Sequence, residues 1–218
     1  MADVLSALRE RFAGSRAYAV LRTLRRTPDR ILHPGRREAA LRELRAADRP
    51  ATVVFVCYGN ICRSPYAAAR FACSLPPELA GIRTLSAGMV GAGRPAPREG
   101  IAVAARRGID LSAHRAALLT RETARAAGLV VVMSADQRRS VERDFGRGPG
   151  GILVLGDLDP LPIDLRTLRD PWRQPEAAFD DSYARIDRCV HALVQALAEG
   201  ASAPVPAEPP GAPAAGRA

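Results

Sequence analysis

Four short apolar runs punctuate the middle of this chain, and stretches of helical period lie between them. ATVVFVC at 51–57 is apolar almost without interruption, the pattern of a strand buried on both faces. IRTLSAG (82–88), LVVVMS (129–134) and ILVLG (152–156) are the other strand candidates. Helices are expected at about 64–75, 97–108, 120–128 and 135–145, with a long final one at about 175–198. Segment 97–108, PREGIAVAARRG, opens on a proline suited to a helix start and closes on a glycine suited to a stop. Strands alternating with helices define an α/β fold: three layers, αβα, around a central four-stranded parallel sheet.

The ends of the chain follow other patterns. In residues 1–50, Val4, Leu5, Leu8 and Phe12, then Leu21 and Leu24, recur at helical spacing with arginines between them. Thr27-Pro28 and His33-Pro34-Gly35 are expected to break this stretch into separate helices. The chain thus divides into a basic helical extension (1–50), a main domain (51–200) and a Pro/Ala-rich tail (201–218) that cannot bury a core and is expected to be disordered.

Charge sharpens that division. Every basic residue is arginine, with twelve Arg against six Asp or Glu in residues 1–50 and nineteen against sixteen in 51–200. The excess belongs to the extension. It suits either an amphipathic segment on an anionic membrane surface or a solvated helix packed on its own domain. Nucleic acid is not an expected partner, because aromatics are few and no recognised module is present. No apolar run reaches the ~20 residues of a membrane span, and MADVLSALRERF lacks the order of a secretory signal, so a cytoplasmic location is expected. Four cysteines are too few for a disulfide scaffold, and His33, His114 and His191 form no pair at metal-ligand spacing.

The chemistry concentrates in VVFVCYGNICRSP, residues 53–65. A buried strand ends there, a short polar loop follows, and a helix is entered at Ser64-Pro65. A loop between a parallel strand's carboxyl end and a helix amino end is where such sheets bind ligands. The free N–H groups and positive dipole end of the helix attract an oxyanion. Cys57 stands at the strand end as a candidate nucleophile, and N–H donors with a nearby cation favour its thiolate. Arg63, six positions on, offers a planar fork for two phosphoryl oxygens. Gly59 permits a tight backbone path, Asn60 can brace the loop or turn left-handed, and Ser64 can bond the sulfur as well as cap the helix.

C-x5-R followed by Ser is the phosphate loop of protein tyrosine phosphatases, and CYGNICRSP near the start of an α/β domain resembles the low-molecular-weight family in its bacterial type. Three further segments resemble that family in order: Ser86-Ala87-Gly88, the stretch from Gly108 to Ala116, and Asp170-Pro171. The resemblance covers about 51–200. It implies hydrolysis of protein phosphotyrosine through a cysteinyl-phosphate, with backbone groups of Tyr58, Gly59, Asn60, Ile61, Cys62, Arg63 and Ser64 around the phosphate. No metal or cofactor is needed, because loop and arginine already neutralise the charge.

Departure of the aryl oxygen needs a proton donor. Asp159 and Asp170 both precede proline, and local sequence does not decide between them; the resemblance places the acid just before the last helix, at Asp170. It also implies that Cys62 can form a reversible disulfide with the nucleophile, while a small packed side chain is the alternative. Ile61 stands where relatives acting on phosphoarginine tend to have threonine, which favours an aryl phosphate. Tyr58 and Trp172 are expected at the rim of the pocket. Tyr66 is expected to pack a helix, and Cys73 and Cys189 to lie in the core. A bacterial tyrosine kinase is the partner that some relatives suggest. A phosphate-binding regulator without turnover is the competing class of function.

Overall fold

The computed structural model describes residues 16–201. The positions Val4, Leu5, Leu8 and Phe12 and the tail 202–218 lie outside the described residues. Four parallel strands form one sheet: β1 (Thr52–Cys57), β2 (Arg83–Gly88), β3 (Leu129–Val132) and β4 (Ile152–Val154). Their order is β2-β1-β3-β4, so β1 is central and Phe55 pairs with Ser86 on one side and Val131 on the other.

The helices are α1 (Arg16–Ala46), α2 (Arg63–Ser74), α3 (Arg98–Arg106), α4 (Arg121–Ala126), α5 (Ala135–Phe145) and α6 (Glu176–Ala201). Side chains alternate across the pleat. Val53, Phe55, Val131 and Leu153 enter a core shared with Phe71 of α2, Val103 of α3 and Leu193 of α6. Val54, Val56, Val130 and Val132 enter a second core with Ala124 of α4 and Val141 of α5. The expected αβα layering is therefore present. Each such burial stabilises by roughly 1.5–3 kcal/mol, which is why the strands read as apolar on both faces.

Two expectations fail. Cys73 is exposed, whereas Cys189 is buried as expected. The buried stripe of α2 runs through Ala67, Ala68 and Phe71, and two residues past Phe71 is about 200° round the helix, on the solvent side. The prolines also do not break the extension, for α1 continues through Pro28 and Pro34. Each proline costs the helix roughly 3 kcal/mol, and contacts along this stretch offset it. Ala40, Leu41 and Leu44 are buried in the larger core against the rest of the fold. Arg45 pairs with Glu199, and a Cβ on Gly200 would lie 2.8 Å from the Arg45 carbonyl, so glycine lets α1 and α6 close on each other.

Asp29 pins the helix further up. One carboxylate oxygen accepts the Arg166 N–H at 2.9 Å and the other accepts from Arg36 at 2.8 Å. Burial raises this carboxyl, but the Arg166 N–H and the Arg36 guanidinium outweigh it and hold it below its ordinary 3.8. A depressed carboxyl stabilises the fold above its unfolded value and loses that contribution as pH falls through the folded one. Asp29→Asn is therefore expected to lower stability by about 2 kcal/mol at neutral pH, or about 5 °C in midpoint. The gap between variant and parent should close below pH 3.8. A gap unchanged at acid pH would show that the carboxylate charge is not what holds the helix.

Candidate active site

Cys57 ends the central strand and is 2 % exposed. Its sulfur accepts the Asn60 backbone N–H at 3.2 Å and the Ser64 hydroxyl at 3.1 Å. Asn60 makes this possible by adopting φ 50°, a left-handed conformation that asparagine tolerates better than most residues. Its buried side chain then fastens the loop to three surrounding segments. The amide donates to Ser64 Oγ at 2.8 Å and to Ser86 Oγ at 3.0 Å, and its oxygen accepts from Ala117 N at 2.8 Å. With Asn60 filling its acceptor, the Ser64 hydroxyl keeps its proton for the sulfur. His114 Nε2 donates to the Asn60 carbonyl at 2.6 Å. Gly88 lies beneath, where a Cβ would come within 2.8 Å of the Asn60 backbone nitrogen. The loop can cross the end of β2 only over a glycine.

The helix begins one residue earlier than expected, at Arg63, with Cys62 as N-cap and no side chain capping it. Ser64 is thus not the cap, because its hydroxyl is committed to Cys57. First-turn N–H groups without a side-chain acceptor are what an oxyanion site requires. Arg63, almost fully buried, donates through Nη1 to the Leu168 carbonyl at 3.0 Å and through Nη2 to Asp170. Its Nε is buried with no partner among the described residues.

A cleft of about 80 Å³ opens above the sulfur, a volume scaled to a phosphoryl group and part of a ring. Cys57, Tyr58, Gly59, Ile61, Cys62, Arg63, Asp170 and Trp172 all line it, and Asn60 and Ser64 lie buried below. Asp159, the other aspartate considered for the acid, is elsewhere. Its carboxylate is 2 % exposed and clasped by Arg185 at 2.9 Å and Arg188 at 3.1 Å. Asp157 is held by Arg166 in the same way. Of Asp157, Asp159, Asp164 and Asp170, the aspartates of the late loops, Asp170 alone borders the cleft. Burial pushes the Cys62 thiol well above its ordinary value, with the Asp170 charge adding to the effect, so Cys62 stays protonated at neutral pH.

Sequence reading missed two lining residues, Val90 and Arg94. Arg94 donates to the Gly91 carbonyl at 3.0 Å and to the Gly59 carbonyl at 3.3 Å, which lays its guanidinium along the loop. Nothing in GAGRP marks that arginine for the pocket, because the contact is made across space from the loop after β2. Arg173, the residue after Trp172, places its guanidinium 4.3 Å from the Trp172 ring centre. A cation–π contact of this kind supports the exposed indole. Tyr66 packs as expected, stacked on Tyr183 at 3.8 Å, and the Tyr183 hydroxyl donates to the Cys62 carbonyl at 3.3 Å.

A parallel sheet whose central strand delivers a cysteine into an anion-binding loop, with arginine and aspartate alongside, defines a cysteine-dependent phosphatase site. Residues 52–203 match the family model described as low molecular weight phosphotyrosine protein phosphatase. The chain belongs to that family, and its reaction is hydrolysis of phosphotyrosine. A relative from Ralstonia solanacearum named probable low molecular weight protein-tyrosine-phosphatase EpsP is 39 % identical over 145 residues, covering 66 % of this chain and 93 % of the relative. Among solved structures, the Erwinia amylovora tyrosine phosphatase AmsI is 26 % identical with a TM-score of 0.61, covering 67 % of this chain and 93 % of that one. The YwlE arginine phosphatase from Geobacillus stearothermophilus is 25 % identical with a TM-score of 0.60, covering 68 % and 93 %.

Proposed function

We propose that this chain dephosphorylates protein tyrosine by transferring the phosphoryl group to Cys57. The observation that carries the residue assignment is the convergence of two donors, Asn60 N–H and Ser64 O–H, on a sulfur that shares its cleft with Arg63 and Asp170. The thiolate attacks phosphorus in line, forming the S–P bond as the bond to the tyrosine oxygen breaks. Loop N–H groups from Tyr58 to Ser64 and the Arg63 guanidinium hold the equatorial oxygens. Arg63 Nε supplies a donor not used among the described residues. An incoming phosphoryl group competes for the rest of the guanidinium, which frees the Asp170 carboxyl to carry the proton given to the leaving oxygen. Asp170 then takes a proton from water, whose oxygen attacks phosphorus and breaks the S–P bond. Release of nitrophenolate from para-nitrophenyl phosphate at mildly acidic pH tests this. A folded protein that binds phosphate without turnover would leave only the regulator reading.

Substrate class rests on Ile61 and the rim. Ile61 is 8 % exposed and lines the cleft, presenting an apolar wall to a ring, with Tyr58 and Trp172 exposed beside it. A phosphotyrosine peptide is expected to be turned over and a phosphoarginine peptide not. A tyrosine kinase bearing phosphotyrosine is the partner we favour.

Cys62, next to the cleft and protonated, suits a resolving role. If Cys57 is oxidised to a sulfenic acid, the Cys62 sulfur attacks it, water leaves and a disulfide forms that thiols reverse. Peroxide followed by dithiothreitol should restore most activity in the parent and little in Cys62→Ser. Equal recovery would make Cys62 a packing residue.

The extension suits peripheral contact with an anionic membrane. No helix among the described residues is long and apolar enough to cross one. Ile31 and Leu32 stand exposed on α1 among arginines. Co-sedimentation with phosphatidylserine vesicles should fall when both become serine; unchanged binding would sink this reading.

A further inference from the structure

Two arginines at the mouth of the cleft carry charge that no carboxylate answers. Arg94, from the loop after β2, lines the cleft, and its hydrogen bonds all go to backbone carbonyls: Gly91 at 3.0 Å, Gly59 at 3.3 Å and Val90 at 3.5 Å. Arg173 is exposed and lies against the ring of Trp172, which lines the same cleft. Neither arginine makes an ion pair among the described residues. The acidic groups close to them along the chain are already taken, Asp170 by Arg63 and Glu176 by Arg106 at 2.8 Å.

Arg94 is held in place. Its guanidinium occupies a slot between two glycines, and a Cβ on either Gly59 or Gly91 would lie 2.6 Å from its Nη2. The slot is outside the ring of phosphate donors. The Gly59–Asn60 peptide is planar and trans, so its N–H and C=O point opposite ways. That N–H reaches Cys57 Sγ at 3.2 Å, and that carbonyl accepts from Arg94, which puts the guanidinium across the peptide from the sulfur. Arg94 is therefore placed to meet a group beside the phosphoryl oxygens, not those oxygens themselves. A fork already fixed in position loses little freedom when it takes a carboxylate.

We propose that Arg94 and Arg173 select substrates whose phosphotyrosine is flanked by acidic residues, each guanidinium taking a glutamate or aspartate side chain of the peptide. The selection rests on the Cys57 cleft being the phosphotyrosine site. The two cations belong to separate loops, one after β2 and one before α6, so the preference is for an acidic stretch and not for a single position.

The test compares two phosphotyrosine peptides that differ only in carrying glutamate or glutamine at the flanking positions. Calorimetry on the full chain bearing Cys57→Ser measures their affinities without turnover. The glutamate peptide is expected to bind roughly fivefold tighter at low salt, the scale of two exposed ion pairs, and the ratio to shrink toward one at about 0.5 M sodium chloride. Arg94→Gln and Arg173→Gln, each added to that chain, should lower the ratio about twofold, and both together should bring it near one, with thermal midpoints showing that each protein folds. Arg83→Gln removes the same charge at the opposite end of β2 and should leave the ratio unchanged, which separates local recognition from the net charge of +9. The proposal is overturned by equal affinity for the two peptides, by binding of neither, by a ratio that survives in the folded double variant, or by an equal drop in Arg83→Gln. Assay of the parent on para-nitrophenyl phosphate keeps this apart from the phosphatase assignment. Turnover with equal peptide affinities sinks acidic selection alone, and charge-selective binding without turnover sinks hydrolysis alone.

Discussion

Cys57→Ser is expected to abolish turnover of para-nitrophenyl phosphate, with a loss on the order of 10⁴-fold or more. The substitution is small and the sulfur's surroundings are fixed by other residues. Asn60 N–H and Ser64 O–H, which reach Cys57 Sγ at 3.2 and 3.1 Å, can reach a serine oxygen after a slight closure. Asn60 remains anchored by Ser86, Ala117 and His114, so the loop does not depend on the sulfur. What is lost is the nucleophile, because an alcohol ionises far less readily than a thiol and attacks phosphorus more weakly. Phosphate affinity should therefore survive, and calorimetry with inorganic phosphate separates this from collapse of the loop. Retained turnover would remove Cys57 from the mechanism altogether.

Asp170→Asn should divide substrates by the quality of their leaving group. Phenyl phosphate, which needs a proton to depart, is expected to slow by about 10²–10³-fold in kcat, and para-nitrophenyl phosphate by much less. Asparagine keeps the shape and can still accept the Trp172 N–H, which lies 3.3 Å from Asp170 Oδ1. It cannot form the ion pair with Arg63, so a change in KM common to both substrates would report that pairing rather than proton transfer. Equal losses in kcat on both substrates would mean that another group supplies the proton. Asp159 could not be that group, because two arginines hold it away from the cleft.

Strand β1 and its loop were readable from sequence because both rest on local chemistry. An apolar run buried on both faces has few alternatives, and C-x5-R-S carries its spacing within nine residues. The choice between Asp159 and Asp170 was of another kind. Both precede proline, and only the partners Arg185 and Arg188, twenty-six and twenty-nine residues beyond Asp159, tell them apart. Arg94 stayed hidden because it reaches Gly59 from a loop thirty-five residues away. The continuity of α1 was misjudged because proline is a local penalty, whereas Asp29, His33 and Leu41 hold the helix through contacts that no window of sequence contains.

The docking of α1 changes what trimming this enzyme would mean. A catalytic fragment cut at the family boundary, residue 52, would keep every residue of the cleft and still lose part of its core. Gly200 would face solvent where Arg45 had been, and the main-chain N–H of Arg166 and carbonyl of Asp159 would lose Asp29 and His33. Those two sites bracket the root of the segment that carries Asp170. The extension is in this sense the buttress of the acid loop, and a shortened enzyme would bind phosphate with its proton donor on a looser mount.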